Sequence, residues 1–161
     1  LCQLITEGLP ADLFFHYLQT NGENDITHQM SDTKQQNGTV LVIDDDPAIR
    51  HVLGFMLKRM GFNVLSVPDG KTGVDTYRNQ TKEIVAVILD VIMLGMSSAD
   101  TFKELQRINK NVQVYLSSGA TDDIIQAAGP TGGLAGFIRK PYQQPELTAA
   151  LGHLLRNRQT T

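Results

Sequence analysis

The sequence contains a single cysteine, Cys2, among 161 residues. That excludes an internal disulfide and fits a reducing compartment. No apolar run approaches the roughly 18 residues that a membrane span requires. No basic start leads into a long apolar stretch, as a secretory signal would. A cytoplasmic chain without membrane contact is therefore expected. An excess of basic charge is also missing. Residues 1–38 carry Glu7, Asp12, Glu23, Asp25 and Asp32 against Lys34 alone, which leaves 13 bases against 12 acids in the remainder. Direct nucleic-acid binding, which depends on clustered positive charge, is not expected. His16, His28, His51 and His153 are scattered and show no metal-ligand spacing. The glycine-rich "GPTGGLAG" of residues 129–136 lacks the Gly-Lys-Ser/Thr ending of a nucleotide-binding loop and reads as a connection.

What is present is enough apolar material for a packed core, 41% hydrophobic residues against 19% charged. The chain opens on Leu1, not Met, which suits a piece of a longer protein. Residues 1–20 include "PADLFFHYLQT", where Leu13, Phe14, Tyr17 and Leu18 have helical spacing behind Pro10. Such a short helix has too little core to fold alone, so it is expected to pack on an upstream domain. Residues 21–38 are polar, carry Asn-Gly pairs at both ends and read as a linker.

From residue 39 to 157 short apolar runs alternate with helical periodicity. "TVLVI", "NVLSV", "IVAVIL", "VQVYL" and "GFIR" read as strands. Helices are expected after Pro47, over residues 70–80, around Phe102, Leu105 and Ile108, over "TDDIIQAA", and from Pro145 through Leu155. The second of these, at 70–80, is less strongly patterned. Five such units predict an α/β domain, a parallel sheet with five helices covering both faces.

Ligands of an open parallel sheet bind beyond the carboxyl ends of its strands. Asp44, Asp45 and Asp46 follow the first apolar run, Asp90 the third, Ser117 and Ser118 the fourth, and Lys140 and Pro141 the fifth. Each has a plainer reading. Asp46 before Pro47 is a helix cap, Ser118 suits a turn before Gly119, and the other carboxylates and Lys140 could be solvated loop residues. Their joint placement favours chemistry. Two carboxylates about 5 Å apart repel by roughly 3 kcal/mol at an effective dielectric near 20. A hard divalent cation such as Mg²⁺, which prefers oxygen ligands, removes that repulsion. A remaining carboxylate is then free to attack phosphorus, while an ammonium and a hydroxyl hold the phosphoryl oxygens.

The segments "VLVIDDDPAIR", "VILDVIMLGM", "YLSSGA" and "GFIRKPY" occur in order and at a spacing that resembles the receiver domain of two-component response regulators. The resemblance implies a flavodoxin-like sheet in order 2-1-3-4-5. It implies that Asp90 accepts a phosphoryl group from the phosphohistidine of a histidine kinase or phosphotransfer domain. Asp44, Asp45, Asp90 and the backbone carbonyl of Ile92 would hold Mg²⁺. Lys140 would pair with the phosphoryl group, Ser118 and Phe137 would switch with it, and Pro141 would follow a cis bond. The surface of the fourth helix, fifth strand and fifth helix would report the switch to a downstream partner that the sequence does not name; a homodimer stays open. The sequence departs from the pattern at Leu94, where the family usually has proline, and at Ser98, where glycine is frequent. Ile92 places an apolar side chain beside the acceptor.

Two other readings compete. An aspartate-nucleophile phosphohydrolase needs a second aspartate two residues after the nucleophile, and that position is Ile92. A degenerate receiver would serve only for docking, which the full set of Asp44, Asp45, Asp90, Ser118 and Lys140 argues against. The layout suits the C-terminal receiver of a bacterial hybrid histidine kinase in a phosphorelay, with a free-standing regulator as the alternative.

Overall fold

Runs of valine, isoleucine and leucine have no polar face to turn to water, so they pair side by side and take cover from helices on both sides. A computed structural model describes residues 37–119 and 133–156. Its strands are β1 (Thr39–Ile43), β2 (Asn63–Val67), β3 (Ile84–Asp90), β4 (Val114–Ser118) and β5 (Gly136–Arg139). They form one five-stranded sheet in the order β2-β1-β3-β4-β5, and every pairing is parallel. The helices among the described residues are α1 (Pro47–Arg59), α2 (Gly70–Asn79), α3 (Ser98–Ile108) and α4 (Gln144–Arg156). They number four where the sequence predicts five: the expected helix over "TDDIIQAA" lies outside the described residues, as do the expected N-terminal helix and most of the linker. Among the described residues no helix is long and apolar enough to cross a membrane.

Alternation along the strands divides the core in two. Leu41, Ile43, Val87, Leu89, Val114 and Leu116 face Val74 and Tyr77 of α2 and Phe102 and Leu105 of α3. Val40, Val42, Ala86 and Ile88 face Leu53 and Leu57 of α1 and Leu147 and Leu151 of α4. Fully burying each such leucine contributes about 1.5–3 kcal/mol.

Local signals set the element ends. Asp46 accepts from the Ala48 and Ile49 N–H groups at 2.8 and 3.4 Å and so caps α1, with Pro47 at its first position. Lys58 and Arg59 lie in the last turn, where positive charge suits the helix dipole, and Gly61 follows at φ 89°. One strand is offset from its sequence reading. "VQVYL" places the fourth strand at residues 112–116, but β4 begins at Val114 and continues through Ser117 and Ser118. Val112 N–H turns back onto the Asn109 carbonyl at 3.1 Å. The two serines, polar but buried, pair in register with Ile138 and Arg139 of β5.

Candidate functional site

The order of the sheet decides which strand ends meet. β1 and β3 are neighbours, so Asp44, just past β1, and Asp90, the last residue of β3, end side by side. Oxygen atoms of Asp44, Asp45 and Asp90 all lie within 4.8 Å of one another. Asp44 is 2% exposed and Asp90 7%, whereas Asp45 is exposed. Lys140 follows β5, three strands away from β1 in the sheet, and its side chain reaches back across β4. Its Nζ donates to Asp44 Oδ2 at 2.7 Å and sits 3.1 Å from Asp90 Oδ1.

Each carboxylate is held differently. Asp44 Oδ1 accepts the Asp46 N–H at 2.9 Å, and the Asp44 carbonyl accepts the Arg50 guanidinium at 2.7 Å. Asp90 takes the N–H of Ile92 in addition to Lys140. Asp45 Oδ2 accepts the N–H of Leu94 at 3.3 Å. Asp46, third of the run, turns away to cap α1.

Burial is the largest influence on Asp90 and pushes its pKa up; Lys140 opposes it, Asp44 reinforces it, and the result is raised. Burial presses Lys140 downward, but its bonds to Asp44 and Asp90 outweigh that, so its ammonium is the more strongly retained. Tyr142, whose hydroxyl lies 2.6 Å from Ser117 Oγ, is pushed up to about 12, chiefly by burial.

The remaining predicted residues fall around this cluster. Ile92 follows β3 by two residues and is 65% exposed. Ser118 is buried at the end of β4, and its carbonyl accepts the Lys140 N–H at 2.9 Å. Ser117, not Ser118, is the residue in register with Asp90. Phe137, 45% exposed, lines a cleft of about 560 Å³ with Ser118, Tyr115, Arg139 and His153; none of the three clustered aspartates lines it. The Lys140–Pro141 peptide is cis. Reasoning from sequence did not single out Arg50 or Tyr142, and it named Leu94 only as a departure from the usual proline, not as a donor to Asp45. Arg50 stands one helical turn after Asp46, a spacing that would have placed it over the loop; Leu94 acts through its main chain and leaves no such signal.

The donor set suits a hard cation. Three carboxylates converge, no sulfur or imidazole is among them, and an octahedral ion such as Mg²⁺ binds oxygen and keeps several of its waters.

Comparison with known proteins agrees with this arrangement. The sequence profile of the response regulator receiver domain matches residues 40–152. A protein of Mycobacterium tuberculosis named "Probable transcriptional regulatory protein TcrX" is 32% identical over 120 residues, which is 73% of this chain and 50% of that protein. A cyclic di-GMP phosphodiesterase of Thermotoga maritima is 30% identical over 120 residues, 74% of this chain and 32% of that protein. The chain therefore spans half or less of these relatives. The crystal structure of a response regulator receiver domain protein from Clostridium thermocellum superposes with a TM-score of 0.67 at 25% identity, covering 73% of this chain and 94% of that one.

Proposed function

Because the chain belongs to the response regulator receiver domain family, we propose that it accepts a phosphoryl group on Asp90 in two-component signalling. The observation that carries this reading is the pairing of a buried Asp90 with Lys140 at 3.1 Å, inside a cluster of three carboxylates. An Asp90 oxygen forms the new bond to phosphorus. The phosphorus–nitrogen bond of a donor phosphohistidine breaks, and its electron pair leaves with the imidazole. Lys140 is held where its ammonium can pass from the Asp90 carboxylate to a phosphoryl oxygen. Asp44, Asp45 and Asp90, with the Ile92 carbonyl, would hold Mg²⁺, which when bound offsets charge on the transferring oxygens.

Ser118 and Phe137 share the cleft beside β5, and this supports their reading as the residues that respond to phosphorylation. That response would bias two states of a partner-binding surface. The donor would be a histidine kinase or phosphotransfer domain, and the segment would work in the cytoplasm. Relatives with such different names as a transcriptional regulator and a phosphodiesterase attach different outputs to similar segments. Turnover as a phosphohydrolase is not supported, since the exposed Ile92 offers no acid or base two residues past Asp90.

The test is incubation with a small-molecule phosphodonor, with and without Mg²⁺, followed by intact-mass measurement. Wild type should gain one phosphoryl group only with Mg²⁺, and Asp90→Asn should gain none. A label that survives in Asp90→Asn would falsify the assignment.

A further inference from the structure

A lysine ammonium sits on a long, flexible stem, so where it points depends on how its base is held. The Lys140 side chain crosses β4 to reach Asp44 and Asp90. The connection that carries it, residues 140–143 between β5 and α4, is fastened to the end of that same strand at two points. At the first, the Lys140 N–H donates to the Ser118 carbonyl at 2.9 Å. At the second, two residues later, the Tyr142 hydroxyl lies 2.6 Å from Ser117 Oγ. Ser117 is 0% exposed and is itself tied to the acceptor strand: it pairs in register with Asp90, and its carbonyl takes the Val91 N–H at 3.0 Å.

We infer that Tyr142 is a positioning residue: through Ser117 its hydroxyl clamps the connection of residues 140–143 onto β4 and aims the Lys140 ammonium at Asp90. The Tyr142 ring packs on the core between the sheet and α1 and α4. That accounts for an aromatic residue but not for its hydroxyl, since phenylalanine would fill the same space. Burial keeps the hydroxyl protonated at neutral pH, and Lys140, Asp44 and Asp90 are all near enough for their charges to act on it. When phosphorus bonds to Asp90, the ammonium must already stand within reach of a phosphoryl oxygen; a misplacement of about 1 Å in such an arrangement can cost about 100-fold in rate. Tyr115 offers a contrast within the same core. Its hydroxyl donates to the Ala150 carbonyl at 3.0 Å and ties β4 to α4 instead.

This inference rests on the reading of Asp90 as the phosphoryl acceptor. The whole chain is phosphorylated with phosphoramidate, a phosphorus–nitrogen donor like phosphohistidine, at saturating Mg²⁺, and the rate is followed by intact mass. Tyr142→Phe and Ser117→Ala should each be about tenfold slower than wild type, short of the full loss because the Lys140 N–H bond to Ser118 remains. The double variant should be no slower than either, and Tyr115→Phe should stay within about twofold of wild type. An unchanged rate in Tyr142→Phe overturns the inference, as does an equal loss in Tyr115→Phe. The position of the lysine is read separately, without donor or metal, from the ε-methylene resonances of Lys140 in ¹³C-labelled protein, identified by their loss in Lys140→Met. In Tyr142→Phe and Ser117→Ala they should move toward those of exposed lysines, and in Tyr115→Phe they should not. Unmoved resonances overturn the inference whatever the rates, and Ser117→Ala carries both measurements if Tyr142→Phe fails to fold. Wild type that gains no phosphoryl group would bring down the reading of Asp90 itself, a result distinct from a Tyr142→Phe that reacts normally.

Discussion

Asp90 lies in surroundings that disfavour its charge. Burial raises its pKa and Asp44 adds to that; Lys140 offsets only part. The folded state thus holds the Asp90 proton more tightly than the unfolded chain does, where the ordinary value is 3.8. The stability this group contributes is fully present below that value and is lost as pH rises through the raised one. At neutral pH the carboxylate is a net cost, and Asp90→Asn should be more stable than wild type when divalent ions are absent, by about 1 kcal/mol on the scale of ordinary single substitutions. Urea midpoints compared across pH check this: the gain should shrink as pH falls through the raised folded value and should have vanished by about pH 4, close to the unfolded carboxylate value. An unchanged or lower midpoint at pH 7 would contradict it. The meeting of Asp44, Asp45, Asp90 and Lys140 was legible in the sequence because each is a charged residue directly past an apolar run. Leu94 stood out only as a departure from the usual proline; its bond to Asp45 was not legible, because the donor is a main-chain atom that side-chain type does not encode. Tyr142 was hidden for another reason: its partner, Ser117, lies in a strand two residues further along than the apolar pattern indicates.

At the scale of elements, α2 shows why one helix was faint in the sequence while its neighbours were plain. It buries Gly70 and Gly73 beside Val74 and Tyr77, so half of its contact face has no apolar side chain to register as periodicity. Close approach replaces bulk. A Cβ at Gly73 would meet three carbons of Ile43, which is itself fully buried in β1 and has nowhere to move. Gly73→Ala should therefore destabilise the fold by about 1–3 kcal/mol, the range for overpacking a core, although alanine is the better helix former. Gly152→Ala in α4 is the matched control, because nothing lies within 4 Å of a Cβ there. It should stabilise by about 0.5–1 kcal/mol through helix propensity alone. Opposite shifts in the urea midpoint are expected; shifts of the same sign would mean that packing on Ile43 does not govern α2.

Across the whole molecule, Lys140 joins elements that the sheet keeps apart. It follows β5 yet bonds Asp44 beyond β1 and approaches Asp90 at the end of β3. Its side chain is only 17% exposed and Asp44 only 2%, so the pair is largely withdrawn from water. Removing one member of a fully buried pair costs about 3–5 kcal/mol, mostly because the other charge stays behind. Lys140→Met keeps the aliphatic stem and removes the ammonium; with its partial exposure the cost should be nearer about 2 kcal/mol. The Lys140 ammonium relieves carboxylate repulsion at this site, and the divalent ion proposed for it would relieve the same repulsion. Mg²⁺ stabilises any state it binds by RT ln(1 + [Mg²⁺]/Kd), and in Lys140→Met it would meet carboxylates that no ammonium already satisfies. Saturating Mg²⁺ should accordingly raise the urea midpoint of Lys140→Met more than that of wild type, so that the difference between them narrows. A difference that widens with Mg²⁺ would show that Lys140 assists the ion, and the view of the two as alternative occupants of one acidic site would have to be abandoned.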